Sequence, residues 1–178
     1  MYLLIIILLV LVAILYLRLL FPIIVTFKKI DPEAIKPTRA YHRAACWDVY
    51  SIEDGVIPAG QWREIRTGIV YATWPHIHIP LLNITLTPLS NVVMKIYTRS
   101  GLAKKKAWRN HLGIIDNDYR GELTVLVYNH RTDFPNRFRK GDKIGQIEFT
   151  RVPGSYMFEV KELSDSLRGD KGFGSSGK

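Results

Sequence analysis

Cysteine is almost absent from this chain of 178 residues: Cys46 stands alone, so no intrachain disulfide can form and an oxidising compartment is not implied. Acids are outnumbered, 16 against 25 lysines and arginines, which leaves a formal net charge of +9. Such a balance suits an anionic ligand or a membrane surface. The basic residues are scattered among strand-like runs, which argues against a nucleic-acid partner. Internal repeats are missing too, and after Phe27 no long segment has the 3.6-residue periodicity of an amphipathic helix. From Tyr2 to Leu17 there is no charge at all.

That uncharged run, YLLIIILLVLVAILYL, is what the chain has instead. A helix rises about 1.5 Å per residue, so about 20 residues cross a hydrocarbon core of about 30 Å. With Arg18 snorkelling and Leu19 to Ile24 continuing the helix, the span suffices, and Pro22 is expected to kink or end it. A cleaved signal peptide and a buried core helix are the alternatives. The start is uncharged and no small-residue cleavage site follows, so residues 1–27 are expected to be a retained, single-pass transmembrane α-helix. Lys28, Lys29, Lys36, Arg39 and Arg43 follow it, which places the C-terminal domain in the cytoplasm. Residues 28–43, KKIDPEAIKPTRAYHR, hold two prolines and read as a juxtamembrane linker.

Residues 44–163 read as β-structure. CWDVYSI, REIRTGIVYATW, HIHIPLLNITLTPL, NVVMKIYT, ELTVLVYN, DKIGQIEFTRV and YMFEVKEL are rich in Val, Ile, Thr and aromatics, with turn punctuation such as PAGQ and RKGD between them. GLAKKKAWRN has room for a turn or two of helix. The expected class is all-β, a compact barrel or sandwich behind the anchor. Residues 164–178 form a glycine- and serine-rich terminal arm.

Five segments then occur in a telling order: AACWDVYS (44–51), RSGLA (99–103), GIIDNDYRGEL (113–123), GDKIGQI (141–147) and RGDKGFGSSG (168–177). Together they closely resemble the motifs of the trimeric dUTPase family, the dUTP nucleotidohydrolases, across roughly residues 40–178. The resemblance implies a distorted, jelly-roll-like β-barrel and a homotrimer whose active sites are shared between subunits. It implies cleavage of dUTP to dUMP and pyrophosphate with Mg²⁺.

Roles are implied position by position. Asp116 matches the catalytic aspartate, whose carboxylate takes a proton from the water that attacks the α-phosphorus. Tyr119 matches the ring that packs on deoxyribose and leaves no room for a 2′-hydroxyl, while Asp118 is an ordinary turn acid. Hairpin backbone beginning near Asn110 and Gly113 is expected to read the uracil edge. Arg99, Ser100 and Gly101 match the phosphate-binding second motif, and Gln146 a phosphate contact of the fourth. Asp48 matches an acid that supports the metal indirectly, through its water shell. In the arm, Arg168 resembles the γ-phosphate arginine and Phe173 the aromatic that stacks on uracil. Gly174, Ser175 and Ser176 offer amides and hydroxyls to the phosphates.

The sequence departs from the family pattern in four places. Cys46 stands for a usual glycine, Thr98 for the proline before RSG, Lys171 for the first glycine of the closing loop, and Gly145 for a common alanine, the last a mild change. An insertion near residues 71–87 carries His76, His78 and an Asn83 sequon and has no family role. Two other functions stay open at this level: a structural trimer at a membrane or in a virus particle, and, less favoured, a dCTP deaminase.

Overall fold

The computed structural model describes residues 2–20, 23–73, 77–79, 84–86, 90–167 and 169–170, without the side chains of residues 3, 14–20, 77–79, 84–86, 90 and 91. Helix α1 (Tyr2–Leu20) is 19 residues long. Its large apolar side chains from Leu4 to Val12 are 45–73% exposed, so this part of the helix is not a buried core element. Among the described residues no helix is long and apolar enough to cross a membrane.

The β-domain begins earlier than the sequence suggests. Strand β1 (Val25–Lys29) pairs antiparallel with β5 (Ile69–Thr73), Val25 opposite Thr73 and Lys29 opposite Ile69. Residues 25–27 are therefore strand where the expectation was anchor. The stretch read as a linker also joins the domain: Ala34 is buried in the core, and Thr38 bridges to Asp48.

The central sheet has the order β10-β8-β13-β2, built from β2 (Trp47–Tyr50), β8 (Ser90–Tyr97), β10 (Ile114–Ile115) and the 11-residue β13 (Lys143–Pro153). A second sheet has β11 (Thr124–Asn129) between β4 (Trp62–Arg66) and β9 (Trp108–Asn110). Smaller pairs are β3 (Gly55–Ile57) with β12 (Asn136–Phe138), and β6 (Ile77–Ile79) with β7 (Ile84–Leu86) within the insertion. On β11 the alternation is clean: Val125, Val127 and Asn129 are buried, while Leu126 points out. Val125 and Val127 meet Ile57, Ile65, Met94, Trp108, Leu123 and Ile144 in one continuous core. Fully burying side chains of this size stabilises by about 1.5–3 kcal/mol each, which is what closes these short strands into one body.

Two expectations about strands need revision. REIRTGIVYATW is not one strand, because Gly68 takes φ +69 and the chain turns between β4 and β5. YMFEVKEL forms no strand: β13 already has β8 on one side and β2 on the other, and Tyr156, Met157 and Phe158 stand 82–97% exposed. The helix expected in GLAKKKAWRN is present as α2 (Ser100–Lys106). It ends on Ala107 in the left-handed region, φ 48 and ψ 36, a place that favours glycine. We therefore expect Ala107→Gly to raise unfolding free energy by about 0.5–1 kcal/mol, read from a denaturant midpoint. An unchanged or lowered midpoint would show that the cap is not strained.

Candidate active site

Two groups of predicted residues take shape on the central sheet. The first is the hairpin around Asp116. β10 lies beside β8, with Ile114 opposite Lys95 and Ile115 opposite Met94. The chain then turns, and the Tyr119 amide donates to the Asp116 carbonyl at 3.2 Å. Arg120 closes the turn by donating to the carbonyls of Asn117 (2.7 Å) and Tyr119 (2.9 Å).

From behind, the Tyr71 hydroxyl donates to the carbonyls of Ile115 (3.3 Å) and Asp116 (3.1 Å). Burial pushes the Tyr71 pKa up to about 12, so the phenol stays a neutral donor at any physiological pH. Thr73 donates its hydroxyl to the Asn117 side-chain oxygen. The Asp116 backbone is thus fixed twice while its side chain remains exposed and, among the described residues, in no ion pair. Tyr119 is also exposed, and its hydroxyl is tied to the Glu122 carbonyl at 3.2 Å, which restrains the ring. Asp118 lies exposed in the turn, as expected of a turn acid.

The second group gathers where β8 runs into α2. Asp48 is buried on β2 with both oxygens engaged: Oδ1 lies 2.8 Å from Arg99 Nε, and Oδ2 accepts from Lys143 Nζ at 2.7 Å. Arg99 is the N-cap of α2 in extended geometry, its side chain makes no capping hydrogen bond, and no acid stands in the first turn. A Cβ built on Gly101 meets nothing within 4 Å, so space in front of Ser100 and Gly101 is open. Gln146 lies opposite Asp48 and donates from Nε2 to the Thr98 carbonyl at 3.2 Å.

Asn110 belongs to this second group and sits deeper than its sequence role suggests. Its Nδ2 donates to the Tyr97 and Ile144 carbonyls (3.1 and 3.2 Å), and its Oδ1 accepts from Trp108 Nε1 at 2.8 Å. Its amide donates to the Thr98 hydroxyl at 2.6 Å. The Asn110 side chain therefore holds strand ends together and has no donor left for a ligand. Gly145 is equally committed, because a Cβ there meets Asn110 Nδ2 at 2.6 Å. Reading Gly145 as a mild departure was wrong for this chain: a methyl group would push against an amide that already makes two hydrogen bonds.

Register separates the two groups. Asp116 follows Ile115, which faces Met94, so continuing the register sets it beside Val93, and Arg99 follows the other end of β8, six residues on. At about 3.3 Å per residue the two backbones are about 20 Å apart along the strand. Arg168, Lys171, Phe173, Gly174, Ser175 and Ser176 lie outside the described residues, as do His76 and Asn83. Gly113 is placed beside Ile96, whose amide donates to its carbonyl at 3.1 Å.

Each Asp48 oxygen already faces a cation, which disfavours direct coordination of a metal; the role expected for Asp48 is indirect, through the metal's water shell. Among the described residues no group of three or more His, Cys, Asp or Glu could hold a metal ion. Cys46 is half-buried; burial, then the Glu148 and Asp48 carboxylates, push its thiol pKa up, so it is a packing residue and not a reactive thiolate.

Sequence reasoning missed Tyr71 and Lys143. Tyr71 was findable: the alternation of β5 puts it on the buried face with Ile69 and Thr73. Lys143 was hidden, because its partner lies 95 residues away and its direction depends on a bulge.

A family model described as dUTPase matches residues 32–177. The chain is 40% identical over 153 residues to the deoxyuridine 5′-triphosphate nucleotidohydrolase of Clostridioides difficile, covering 84% of this chain and 95% of that protein. It is 36% identical to the enzyme of the same name from Nautilia profundicola, covering 85% and 96%. Among solved structures, a dUTPase mutant of Staphylococcus bacteriophage 80alpha with dUpNHpp superposes with a TM-score of 0.73 at 23% identity, over 87% of this chain and 99% of that one. Motif order, fold and these matches agree, and the chain belongs to the dUTPase family.

Proposed function

We propose that the chain is a dUTP diphosphatase, a homotrimer that takes dUTP with Mg²⁺ and is tethered to a membrane by its N-terminal apolar run, longer than α1 alone, with its β-domain in the cytoplasm. The observation that carries the enzymatic reading is the hairpin: Asp116 has a fixed backbone and an exposed carboxylate without a counter-ion among the described residues. A carboxylate so held accepts a proton from water, and the oxygen then attacks the α-phosphorus with pyrophosphate leaving. Arg99, Ser100 and Gln146 bind phosphate oxygens, joined by Arg168 and the arm from Gly174 to Ser176. Phe173 stacks on the base. Tyr119 offers its ring to the sugar, and backbone between Asn110 and Gly113 pairs with uracil. Mg²⁺ comes with the triphosphate and balances its charge; the residues named here bind, orient and move the proton.

The distance between Asp116 and Arg99 supports a shared site, since one chain keeps its two groups about 20 Å apart. Assembly is supported independently. The exposed arm carries Tyr156, Met157, Phe158 and Leu163 with Glu159 and Glu162. A cavity of about 590 Å³ beside β1 offers Val25, Phe27, Trp47 and Phe149, with Lys36 and Arg39 among its lining. Apolar and charged chemistry match, so the arm of one copy suits the cavity of another.

The anchor is supported by the uncharged run from Tyr2 to Leu17, its helical state and the exposure of the side chains from Leu4 to Val12. In the test, the full chain in lipid nanodiscs releases pyrophosphate from dUTP with Mg²⁺, about 100-fold or more faster than from UTP. No release from a folded trimer overturns the enzymatic reading. In alkaline carbonate the full chain should float with vesicles and a chain starting at Ile23 should not; full-length protein left in the wash overturns the anchor.

A further inference from the structure

Asp48 is a buried acid with two cations. Its side chain is 8% exposed, with Arg99 Nε at one oxygen and Lys143 Nζ at the other, so the trio carries a net positive charge. The second cation arrives by a local irregularity. β13 pairs with β2 so that Gln146 faces Asp48 and Gly145 faces Val49, yet Lys143 faces Tyr50, which leaves Ile144 as the extra residue of a bulge. Along a regular strand, residues three apart point to opposite faces, so Lys143 would turn away from Gln146 and Asp48. The bulge brings it back to their face. Arg99, Lys106 and Lys143 then line one cavity of about 330 Å³ between α2 and the turn at Gly141 and Asp142.

A guanidinium alone with a carboxylate favours the two-pronged pairing that takes both oxygens. Lys143 on Oδ2 blocks it. Arg99 approaches Oδ1 through Nε, and among the described residues no hydrogen bond engages its terminal nitrogens, whose N–H donors can turn to an anion. The Lys143 hydrogen bond to Asp48 raises its pKa, so the ammonium persists across the working pH range. We infer that Lys143 is a positioning residue for the phosphate chain: through Asp48 it keeps Arg99 tethered by one edge, with its other edge turned to the ligand. The inference rests on reading Arg99 as a phosphate-binding residue.

Lys143→Met and Lys143→Arg in the full chain test it. With dUTP, Lys143→Met should raise KM about 10-fold with kcat within about twofold, and Lys143→Arg should recover most of the loss. Calorimetry with inorganic tripolyphosphate should show the same pattern: about 10-fold weaker binding for the methionine variant, restored by arginine. On an Asp48→Asn background, adding Lys143→Met should change tripolyphosphate affinity less than about twofold, because the route runs through Asp48. A further full loss on that background, or equal defects in the Met and Arg variants, overturns the inference; so does a fall in kcat with KM unchanged. Should the wild-type chain fail to hydrolyse dUTP, the enzymatic reading falls while the tripolyphosphate comparison still decides the role of Lys143. Lys143→Gln replaces the methionine variant if that one does not fold.

Discussion

Asp116→Asn should lower kcat for dUTP hydrolysis about 10²- to 10⁴-fold, the range a positioned general base contributes. The substitution keeps shape and leaves both backbone anchors untouched, since Tyr71 and the Tyr119 amide hold the carbonyl and not the side chain. The melting temperature and analogue affinity should therefore stay near wild type. The same variant reports on assembly. Asp116→Asn and Arg99→Ala are each expected to be inactive alone, yet subunits mixed and exchanged should regain activity, because one broken half can pair with an intact half from a neighbour. Recovery near the statistical fraction supports sharing. If mixing recovers nothing although exchange is verified, each chain uses its own two groups and the 20 Å separation has been misread.

Asn129→Ala should cost about 3 kcal/mol of unfolding free energy, the largest stability effect we expect from a single polar substitution. Asn129 is fully buried at the end of β11. Its Nδ2 donates to the carbonyls of Ile57 (3.0 Å) and Phe134 (3.2 Å). Its Oδ1 accepts from the Arg131 amide (3.1 Å) and from Asn136 Nδ2 (2.7 Å). Asn136 passes the connection on to the Lys106 carbonyl at 2.6 Å, at the end of α2. Removing the centre leaves several buried groups without partners, each worth about 1–3 kcal/mol when unsatisfied. Urea unfolding of the full chain in detergent measures it; a loss below about 1 kcal/mol would mean that water replaces the amide.

The alternation in the β11 stretch was legible because its signal is local: Val125, Val127 and Asn129 fall on one face by period alone. The same reading could have marked Asn129 as a buried polar residue needing partners. β1 was missed for a physical reason. Its apolar residues follow directly on those of α1, and a continuous hydrophobic run conceals the change from helix to strand. YMFEVKEL has β composition but pairs with no strand of its own chain among the described residues, so propensity alone overstated it. Motif matching supplied Asp116, Arg99 and Gln146. What it could not supply was which of them meet, since β-sheet register decides that over distances of tens of residues.

Thr98 and Gly145, two of the departures from the family pattern, touch the same residue. One gives a hydroxyl to the Asn110 amide, and the other withholds a methyl group from its side chain. Because both act on Asn110, the effects of Thr98→Pro and Gly145→Ala on stability are not expected to add. A proline at 98 removes an acceptor, an alanine at 145 crowds the amide, and either change by itself loosens the strand ends behind the phosphate-binding turn. Asn110 is thus the residue that both positions must suit.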